Sequence, residues 1–129
     1  MSTQKKITVS KLKKELDAIF SLYIRHRDKF TCFTCGRVGD RKSSQNGHYI
    51  PRQYNSTRYD ERNNNCQCFA CNMFYGGQPD IYTLRLQEKY GEGIIKELNS
   101  LRQQIKQWSP NELEELIIIY KQKLEEVIY

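Results

Sequence analysis

Four of the five cysteines stand in two closely spaced pairs, and this spacing constrains the fold more than any other feature of the sequence. The pairs are Cys32-x2-Cys35 and Cys68-x2-Cys71, with 32 residues between them. A C-x2-C turn brings two thiolates to one ion, and two such turns supply the four sulfur ligands of a tetrahedral structural zinc site. We therefore predict that these four cysteines bind one structural Zn²⁺, which ties a long excursion of the chain at its base.

The fifth cysteine and the N-terminal residues bear on the compartment. Cys66 stands at an x4 spacing from Cys71, a poorer match than Cys68, and we interpret it as a small buried thiol in a strand. The odd number of cysteines and the polar, basic segment 1–14 argue against secretion and a disulfide framework. The longest apolar run, 116–120, is too short to cross a bilayer. We expect a soluble, cytoplasmic protein with no membrane partner.

The charge is distributed unevenly along the chain. Residues 1–75 contain 14 Lys or Arg and 6 Asp or Glu, whereas residues 76–129 contain 7 and 9. The basic half is the half that carries the paired cysteines. Positive charge there suits a polyanion such as DNA, and the alternative is that it serves only solubility.

The apolar periodicity predicts an α+β protein that is mostly α. Helical spacing of apolar residues from Leu12 to Ile24 predicts a helix that begins at the N-cap Ser10 and ends near Arg27. Short strands are predicted at Tyr49–Ile50 and at about Asn64–Cys68, with a loop over 52–62 between them.

Three helices are predicted after the cysteine region. The first is capped by Asp80 and ends at Tyr90, before Gly91. The second has one apolar face that runs from Ile94 to Trp108. The third has an N-cap, a proline at the first position and a capping-box glutamate: Ser109, Pro110 and Glu112. Its buried stripe is predicted to comprise Leu113, Leu116, Ile117, Tyr120, Leu124 and Val127.

These elements predict three regions. Residues 1–9 form a flexible tail, residues 10–78 form an N-terminal helix and a zinc-bound core, and residues 79–129 form a helical extension packed on the core or on a second subunit. Ile118 and Ile119 widen the apolar stripe of the last helix beyond what one neighbour needs. They leave a homodimer open as an alternative to packing on the first helix.

The candidate catalytic residues lie in the loop between the cysteine pairs and directly after the second pair. A neutral His48 imidazole can take a proton from water as a general base. The Asn72 amide, adjacent to the last thiolate, can bind Mg²⁺ or Mn²⁺, which neutralises charge on a scissile phosphate. Arg52 would add an electrostatic clamp, and Asn63 would tie the loop so that His48 faces the ion. These residues together predict phosphodiester hydrolysis, with His48, Asn63 and Asn72 as the catalytic set.

A resemblance to a known family rests on these residues. Gly47-His48-Tyr49, then Asn63, then Cys68-x2-Cys71-Asn72 resembles the motif of HNH nucleases, which have a ββα-metal core. The chain is most similar to the phage NinG, or Rap, recombination endonucleases, and its zinc frame also resembles that of endonuclease VII-type junction resolvases. The resemblance implies that His48 is the general base, that Asn63 is structural and that Asn72 binds the catalytic ion.

The same resemblance implies the substrate and the setting. It implies a phage-encoded enzyme that acts in the bacterial host cell on branched or single-strand-containing DNA, such as Holliday junctions or D-loops. Arg41, Lys42, Arg52 and Arg58 are the predicted DNA contacts. Many HNH nucleases have an acidic metal ligand where this chain has Gly47. Asp40, Asp60 and Asn46 are weaker candidates for that ligand.

Three other functions fit the same sequence. A non-catalytic zinc-dependent DNA-binding protein would use the same basic surface without cleavage. A sequence-reading HNH nicking or restriction nuclease would keep the chemistry but need a recognition element, which we do not find. A protein-interaction module would act through the C-terminal helices and bind no nucleic acid.

Overall fold

The computed structural model describes residues 2–129, with side chains from Thr8 onward. The predicted α+β, mostly helical architecture is confirmed, with one small two-stranded sheet. Its elements are α1 (Ser2–Arg27), β1 (Ser44–His48), α2 (Asn55–Arg58), β2 (Asn64–Cys68), α3 (Pro79–Tyr90), α4 (Ile94–Arg102) and α5 (Pro110–Ile128). A 3₁₀ turn at Glu61–Asn63 leads into β2, and a π-helical turn at Ala70–Phe74 follows it. No described helix is both long and apolar enough to cross a membrane.

The two strands are antiparallel and lie between helices. Their register pairs Ser44 with Cys68 at one end and His48 with Asn64 at the other. Helix α1 packs against the sheet, and α5 packs along α1. On the other side, Tyr82 of α3 is fully buried and donates a hydrogen bond from its hydroxyl to the carbonyl of Gly47 at 2.7 Å. The sheet is therefore held from both sides.

Two apolar clusters form the core. One joins α1 to α5 and to the end of α2, and its buried members are Leu16, Phe20, Tyr23, Ile24, Tyr59, Leu113, Ile117 and Tyr120. The other joins α3 and α4 to Ile50, which follows β1. Its buried members are Ile50, Tyr82, Leu86, Ile94 and Leu98. The polar segment between the cysteine pairs is thus anchored to the helices through Ile50 in one cluster and Tyr59 in the other.

The N-terminal helix differs from its predicted extent. It begins at Ser2 rather than at Ser10, so that residues 2–9 of the predicted tail are helical. No glycine or proline interrupts this segment, so nothing in it requires the helix to start at Ser10. Met1 lies outside the described residues.

The first strand and the following loop also differ from prediction. β1 ends at His48, before the strand predicted at Tyr49–Ile50. The amide of Tyr49 donates to the Asn63 carbonyl, and the amide of Ile50 donates to the Asn63 side chain instead of to a strand carbonyl. The predicted loop 52–62 contains α2 and most of the 3₁₀ turn. The strand predicted at Asn64–Cys68 is confirmed.

The C-terminal predictions are confirmed in part. Ser109 forms the predicted capping box with Glu112, and Gly91 ends α3 with a φ of 95°. Asp80 lies in the first turn of α3, and the N-cap is Gln78. α4 ends at Arg102, so Ile105 and Trp108 do not continue its face. Asn55 holds the segment after α4 instead. Its side chain donates a hydrogen bond to the Lys106 carbonyl and its backbone carbonyl accepts one from the Trp108 indole, both at 3.1 Å.

The last helix buries a narrower stripe than predicted. Leu113, Ile117 and Tyr120 are buried, whereas Leu116 and Leu124 are half-buried and Val127 is 40% exposed. Ile118 and Ile119 are exposed on the face turned away from α1. A homodimer formed through this face stays a prediction.

Candidate functional site

The four paired cysteines converge on one point. Their sulfur atoms all lie within 4.8 Å of one another, and the Sγ atoms of Cys35 and Cys68 are 3.8 Å apart. A tetrahedral zinc with bonds of about 2.3 Å separates its sulfur ligands by about 3.8 Å, whereas a disulfide would hold them at about 2.0 Å. In each C-x2-C turn, the backbone amide of the second cysteine also points at the sulfur of the first, at a distance of 3.5 Å in both pairs. The donor set and the spacing fit Zn²⁺.

The electrostatics of these four thiols also favour the binding of a cation. Burial opposes ionisation of Cys32, but hydrogen bonds from Thr34 and from backbone amides lower the pKa of Cys32 to about 6. Burial raises the pKa of Cys71 to about 12. Four thiolates in one place are therefore stable only when a metal ion compensates their charge.

Cys66 takes no part in this cluster. It is fully buried in β2 and belongs to none of the described metal-ligand groups. Burial, reinforced by the carboxylate of Asp28, raises its pKa to about 12. The prediction of a buried strand thiol is confirmed.

The second cysteine pair leads directly into the turn that carries Asn72. The Asn72 side chain donates to Gln45 Oε1 at 2.6 Å, and Gln45 lies on β1. The turn is closed by hydrogen bonds from Tyr75 to the Ala70 carbonyl and from Gly77 to the Cys71 carbonyl. The zinc ligands thus fix the position of Asn72 relative to the strand that ends in His48.

His48 is the last residue of β1 and faces a cavity of about 270 Å³ between β1 and α1. The cavity is lined by Asp17, Phe20, Ser21, Arg25, Ser44, Gln45, Asn46, His48 and Arg52. No hydrogen bond to the His48 imidazole is formed within the described part of the chain. Burial, together with the nearby cations Arg52 and Arg58, lowers the pKa of His48 to about 4. The imidazole is therefore neutral at physiological pH and free to accept a proton.

Two arginines supply positive charge to this cavity. Arg25 is held by the backbone carbonyls of Ser21, Arg41 and Ser44, at 3.2, 2.9 and 3.4 Å. Among residues 8–129 no carboxylate forms an ion pair with it. Arg52 is largely exposed and lies 4.0 Å from Asp17. A half-buried guanidinium without an anionic partner is suited to bind a phosphate.

A basic groove continues from the cavity. It is lined by Ser10, Lys13, Lys14, Asp17, Arg52 and Arg58, so that Asp17 and Arg52 border both spaces. Lys14 is exposed, and Lys13 donates to Asn55 at 3.3 Å. The groove extends the positive surface along α1 from Asp17 back to Ser10.

The predicted DNA contacts fall into two groups. Arg52 is exposed at the cavity, and Arg41 and Lys42 are exposed on the turn that precedes β1. Arg58 instead forms a bidentate pair with Asp17, at 3.1 and 2.5 Å, and only 13% of its side chain is exposed. Tyr59 donates to the same carboxylate at 2.8 Å. A DNA contact by Arg58 would require this buried pair to open first.

Asn63 is fully buried and ties the chain that follows His48. Its side chain accepts from the Ile50 amide at 2.8 Å and donates to the carbonyls of Ile50 and Thr57, at 3.1 and 3.3 Å. Its backbone carbonyl accepts from Tyr49 at 2.9 Å. The amide group of Asn63 thus bonds backbone groups before α2 and within it, and its predicted role in directing His48 at a catalytic ion stays a prediction.

Oxygen ligands for a second metal ion are sparse. Asp40 accepts from the amides of Lys42 and Ser43, and Asp60 caps the 3₁₀ turn and pairs with Arg62, so neither carboxylate faces the cavity. Asn46 does line the cavity, and its Oδ1 is buried without a partner among the described residues.

Sequence reasoning missed the contribution of α1 to this site. Asp17, Ser21 and Arg25 all line the cavity and are spaced four residues apart. Residues at this spacing share one face of a helix. In the sequence these residues form only a polar row at i, i+4 and i+8, beside the apolar stripe that packs on α5, and an ordinary solvated helix face has the same pattern.

Comparison with known proteins places the chain among phage proteins. The family model described as Bacteriophage Lambda NinG protein matches residues 2–128. The chain is 28% identical over 116 residues to Protein ninG of Salmonella phage P22, which covers 88% of this chain and 56% of the relative. It is 27% identical over the same length to Protein ninG of Escherichia phage lambda, with the same coverage.

The chain spans about half the length of the curated relatives that it matches. No solved structure matches it significantly. Because the family model covers nearly the whole chain, the protein belongs to the NinG family of bacteriophage proteins.

Proposed function

We propose that this protein is a metal-dependent DNA endonuclease of the HNH type that hydrolyses phosphodiester bonds in branched recombination intermediates. The observation that carries the proposal is the environment of His48. Its imidazole is neutral and faces a cavity that also contains Arg25. Within residues 8–129 the imidazole has no hydrogen-bond partner and Arg25 has no ion-pair partner. A general base beside a phosphate-binding group is the minimum that this hydrolysis requires.

The order of the elements supports an HNH core. A strand ends in the histidine, a second antiparallel strand follows, and the chain then enters the π-helical turn Ala70–Phe74, which carries Cys71 and Asn72. The cysteine cluster would hold the start and the end of this unit together. Zinc would have a structural role there, because all four of its positions would be filled by thiolates.

The residues of the cavity have distinct roles in this proposal. His48 accepts a proton from the attacking water, and Arg25 and Arg52 bind the non-bridging oxygens of the phosphate. Asp17 lies close to Arg52 and pairs with Arg58, so it orients the cationic groups. Asn63 fixes the loop after His48 and thereby the direction of the imidazole.

The catalytic ion would bind through neutral oxygens. Asn46 Oδ1 has no partner among the described residues, and Asn72 lies next to Gln45, which lines the same cavity. Mg²⁺ and Mn²⁺ accept few protein ligands when water and phosphate complete their shell. When bound, such an ion neutralises charge on the scissile phosphate and on the leaving oxygen.

Cleavage of synthetic DNA tests the proposal. A labelled four-way junction and a linear duplex of equal length are incubated with zinc-loaded protein and Mg²⁺ or Mn²⁺. We expect junction cleavage by the wild type and a loss of at least 100-fold in His48→Ala. His26→Ala is the matched control, since His26 lies on α1 outside the cavity and should retain cleavage. Equal rates for wild type and His48→Ala would show that the nuclease assignment is wrong.

One observation favours a second function, a non-catalytic zinc-dependent DNA-binding protein. Among the side chains that the structure describes, no carboxylate other than Asp17 lines the cavity, and Asp17 is already bound by Arg58 and Tyr59. In that case the protein binds DNA in a salt-sensitive manner and does not cleave it with either Mg²⁺ or Mn²⁺. The same assay with a binding measurement separates the two functions.

A further inference from the structure

An exposed aromatic cluster adjoins the zinc site, and the role proposed above does not use it. Phe69, Met73, Phe74 and Tyr75 surround the turn that carries Cys71, and 47, 58, 75 and 62% of their surfaces are exposed. The rings of Phe69 and Phe74 are 5.3 Å apart and nearly perpendicular. Four large apolar residues within seven positions form a patch of the kind that usually marks a contact surface.

The backbone holds these side chains in place. The π-helical turn is closed by the bond from Tyr75 to the Ala70 carbonyl, at 3.0 Å, and Phe69 donates to the Ser43 carbonyl at 3.3 Å. A zinc ion on Cys68 and Cys71 would fix the turn further. The rings are thus presented on a rigid support, and little conformational entropy is lost when they bind a partner.

Cations lie on one side of the patch, in the segment that precedes β1, which also carries the exposed Asp40. Arg37 and Phe69 line one cleft of about 230 Å³, and the exposed Arg41 and Lys42 lie on the turn that meets Phe69. No acidic residue occurs from Arg62 to Pro79. Aromatic faces flanked by cations are the surface that binds unpaired nucleic-acid bases, because the rings stack on the bases while the cations follow the backbone.

The patch also adjoins the proposed active site. Asn72 lies within the aromatic turn and bonds Gln45, which lines the cavity of His48. A strand whose phosphate enters that cavity therefore passes close to the aromatic side chains. We propose that Phe69, Phe74 and Tyr75 stack on unpaired bases at a DNA branch point and so select branched over linear DNA. This inference rests on the proposed function and specifies how its substrate is recognised.

The test compares affinities for branched and linear DNA. Fluorescence anisotropy is measured with a labelled splayed junction and a duplex of equal length, without Mg²⁺ or Mn²⁺ so that the DNA stays intact. We expect Phe74→Ala with Tyr75→Ala to weaken junction binding roughly tenfold or more, and duplex binding less than twofold. Ile105→Ala, which changes an exposed apolar residue between α4 and α5, is the matched control and should bind both DNAs like the wild type.

Conservative variants separate stacking from apolar contact. Phe74→Tyr should keep the junction affinity, whereas Phe74→Leu should lose it, although both side chains are large. Circular dichroism and zinc content verify that each variant is folded and loaded with metal. Because the side chains are exposed, we expect both quantities to stay at the wild-type level.

The remaining outcomes each decide the matter. Unchanged junction binding in the double variant overturns the inference. The aromatic patch would then contact a protein partner or a second copy of the chain instead of DNA bases. An equal loss on both DNAs also overturns it, because stacking on unpaired bases requires a branch. A wild type that binds no DNA defeats both this inference and the proposed function. Junction-selective binding that depends on the rings, without cleavage in any metal, defeats only the nuclease proposal.

Discussion

The side chain of Gln67 lies across Gly47, with its Oε1 atom in the space that a Cβ at residue 47 would occupy. Gln67 is fully buried and donates from Nε2 to Thr34 Oγ1 at 3.1 Å and to the Gly77 carbonyl at 2.9 Å. These bonds hold the glutamine over the glycine. An acidic metal ligand therefore cannot stand at residue 47 while Gln67 keeps this conformation.

We predict that Gly47→Ala lowers the free energy of unfolding by about 1–3 kcal/mol, because the added methyl group overlaps a buried side chain. Gly93→Ala is the matched control. Gly93 has a φ of −76°, and a Cβ added there would meet no atom within 4 Å, so that change should be close to neutral. Urea unfolding of zinc-loaded protein measures both.

A double-mutant cycle identifies Gln67 as the cause. Gln67→Ala alone removes its bonds to Thr34 and Gly77 and should be destabilising. It also clears the space beside Gly47, so the double variant should be more stable than the sum of the single effects, by about 1 kcal/mol. Strict additivity would show that another contact requires the glycine.

For Asn63 we predict a structural effect. Asn63→Ala should lower the free energy of unfolding by about 2–4 kcal/mol, because the Ile50 amide and the Ile50 and Thr57 carbonyls lose a buried partner. Asn99→Ala on the exposed face of α4 is the control and should change stability little. If Asn63→Ala removed cleavage and left stability intact, Asn63 would act in the chemistry rather than in the loop.

The metal prediction concerns which thiols bind zinc. We expect one zinc per chain by elemental analysis, and retention of that zinc in Cys66→Ala, since Cys66 is absent from the sulfur cluster. Cys35→Ser and Cys68→Ser should each lose most of the metal and the folded structure around the C-x2-C turns. Loss of zinc from Cys66→Ala with retention in Cys68→Ser would reverse the assignment.

The sequence predicted those parts of the molecule that follow from local patterns. The C-x2-C spacing, the capping box at Ser109 and the strand at Asn64–Cys68 depend on neighbouring residues, and the structure has all three. The strand before His48 could not be found in this way. Its sequence, from Ser44 to His48, is polar, and it is a strand because it pairs with the buried strand β2.

Only the part of the candidate site that lies between the cysteine pairs could be predicted from the sequence. His48, Asn63 and Arg52 stand out within the loop, whereas Asp17 and Arg25 lie on α1, 31 and 23 residues before His48 in sequence. Their polar row is indistinguishable from an ordinary solvated helix face until the sheet packs against it. Long-range packing, rather than any local signal, makes it part of a cavity.

The last prediction concerns the ionisation of His48. Burial, with the repulsion from Arg52 and Arg58, lowers its pKa to about 4, so only about a tenth of it is protonated at pH 5. An ordinary histidine is almost fully protonated at that pH. We therefore expect the imidazole resonances of His48 to stay at their neutral positions from pH 8 to pH 5, the range in which zinc thiolates withstand protons.

Arg52→Gln provides the causal test. Removal of a nearby cation should raise the pKa of His48, so that protonation becomes visible within this range. Arg85→Gln, which removes a charge from the exposed side of α3, should leave the titration unchanged. The acid limb of kcat/KM should move upward with the same variant, because a general base acts only in its neutral form. A His48 midpoint near 6.5 in the wild type, or no response to Arg52→Gln, would show that the imidazole does not lie in this buried, cationic setting.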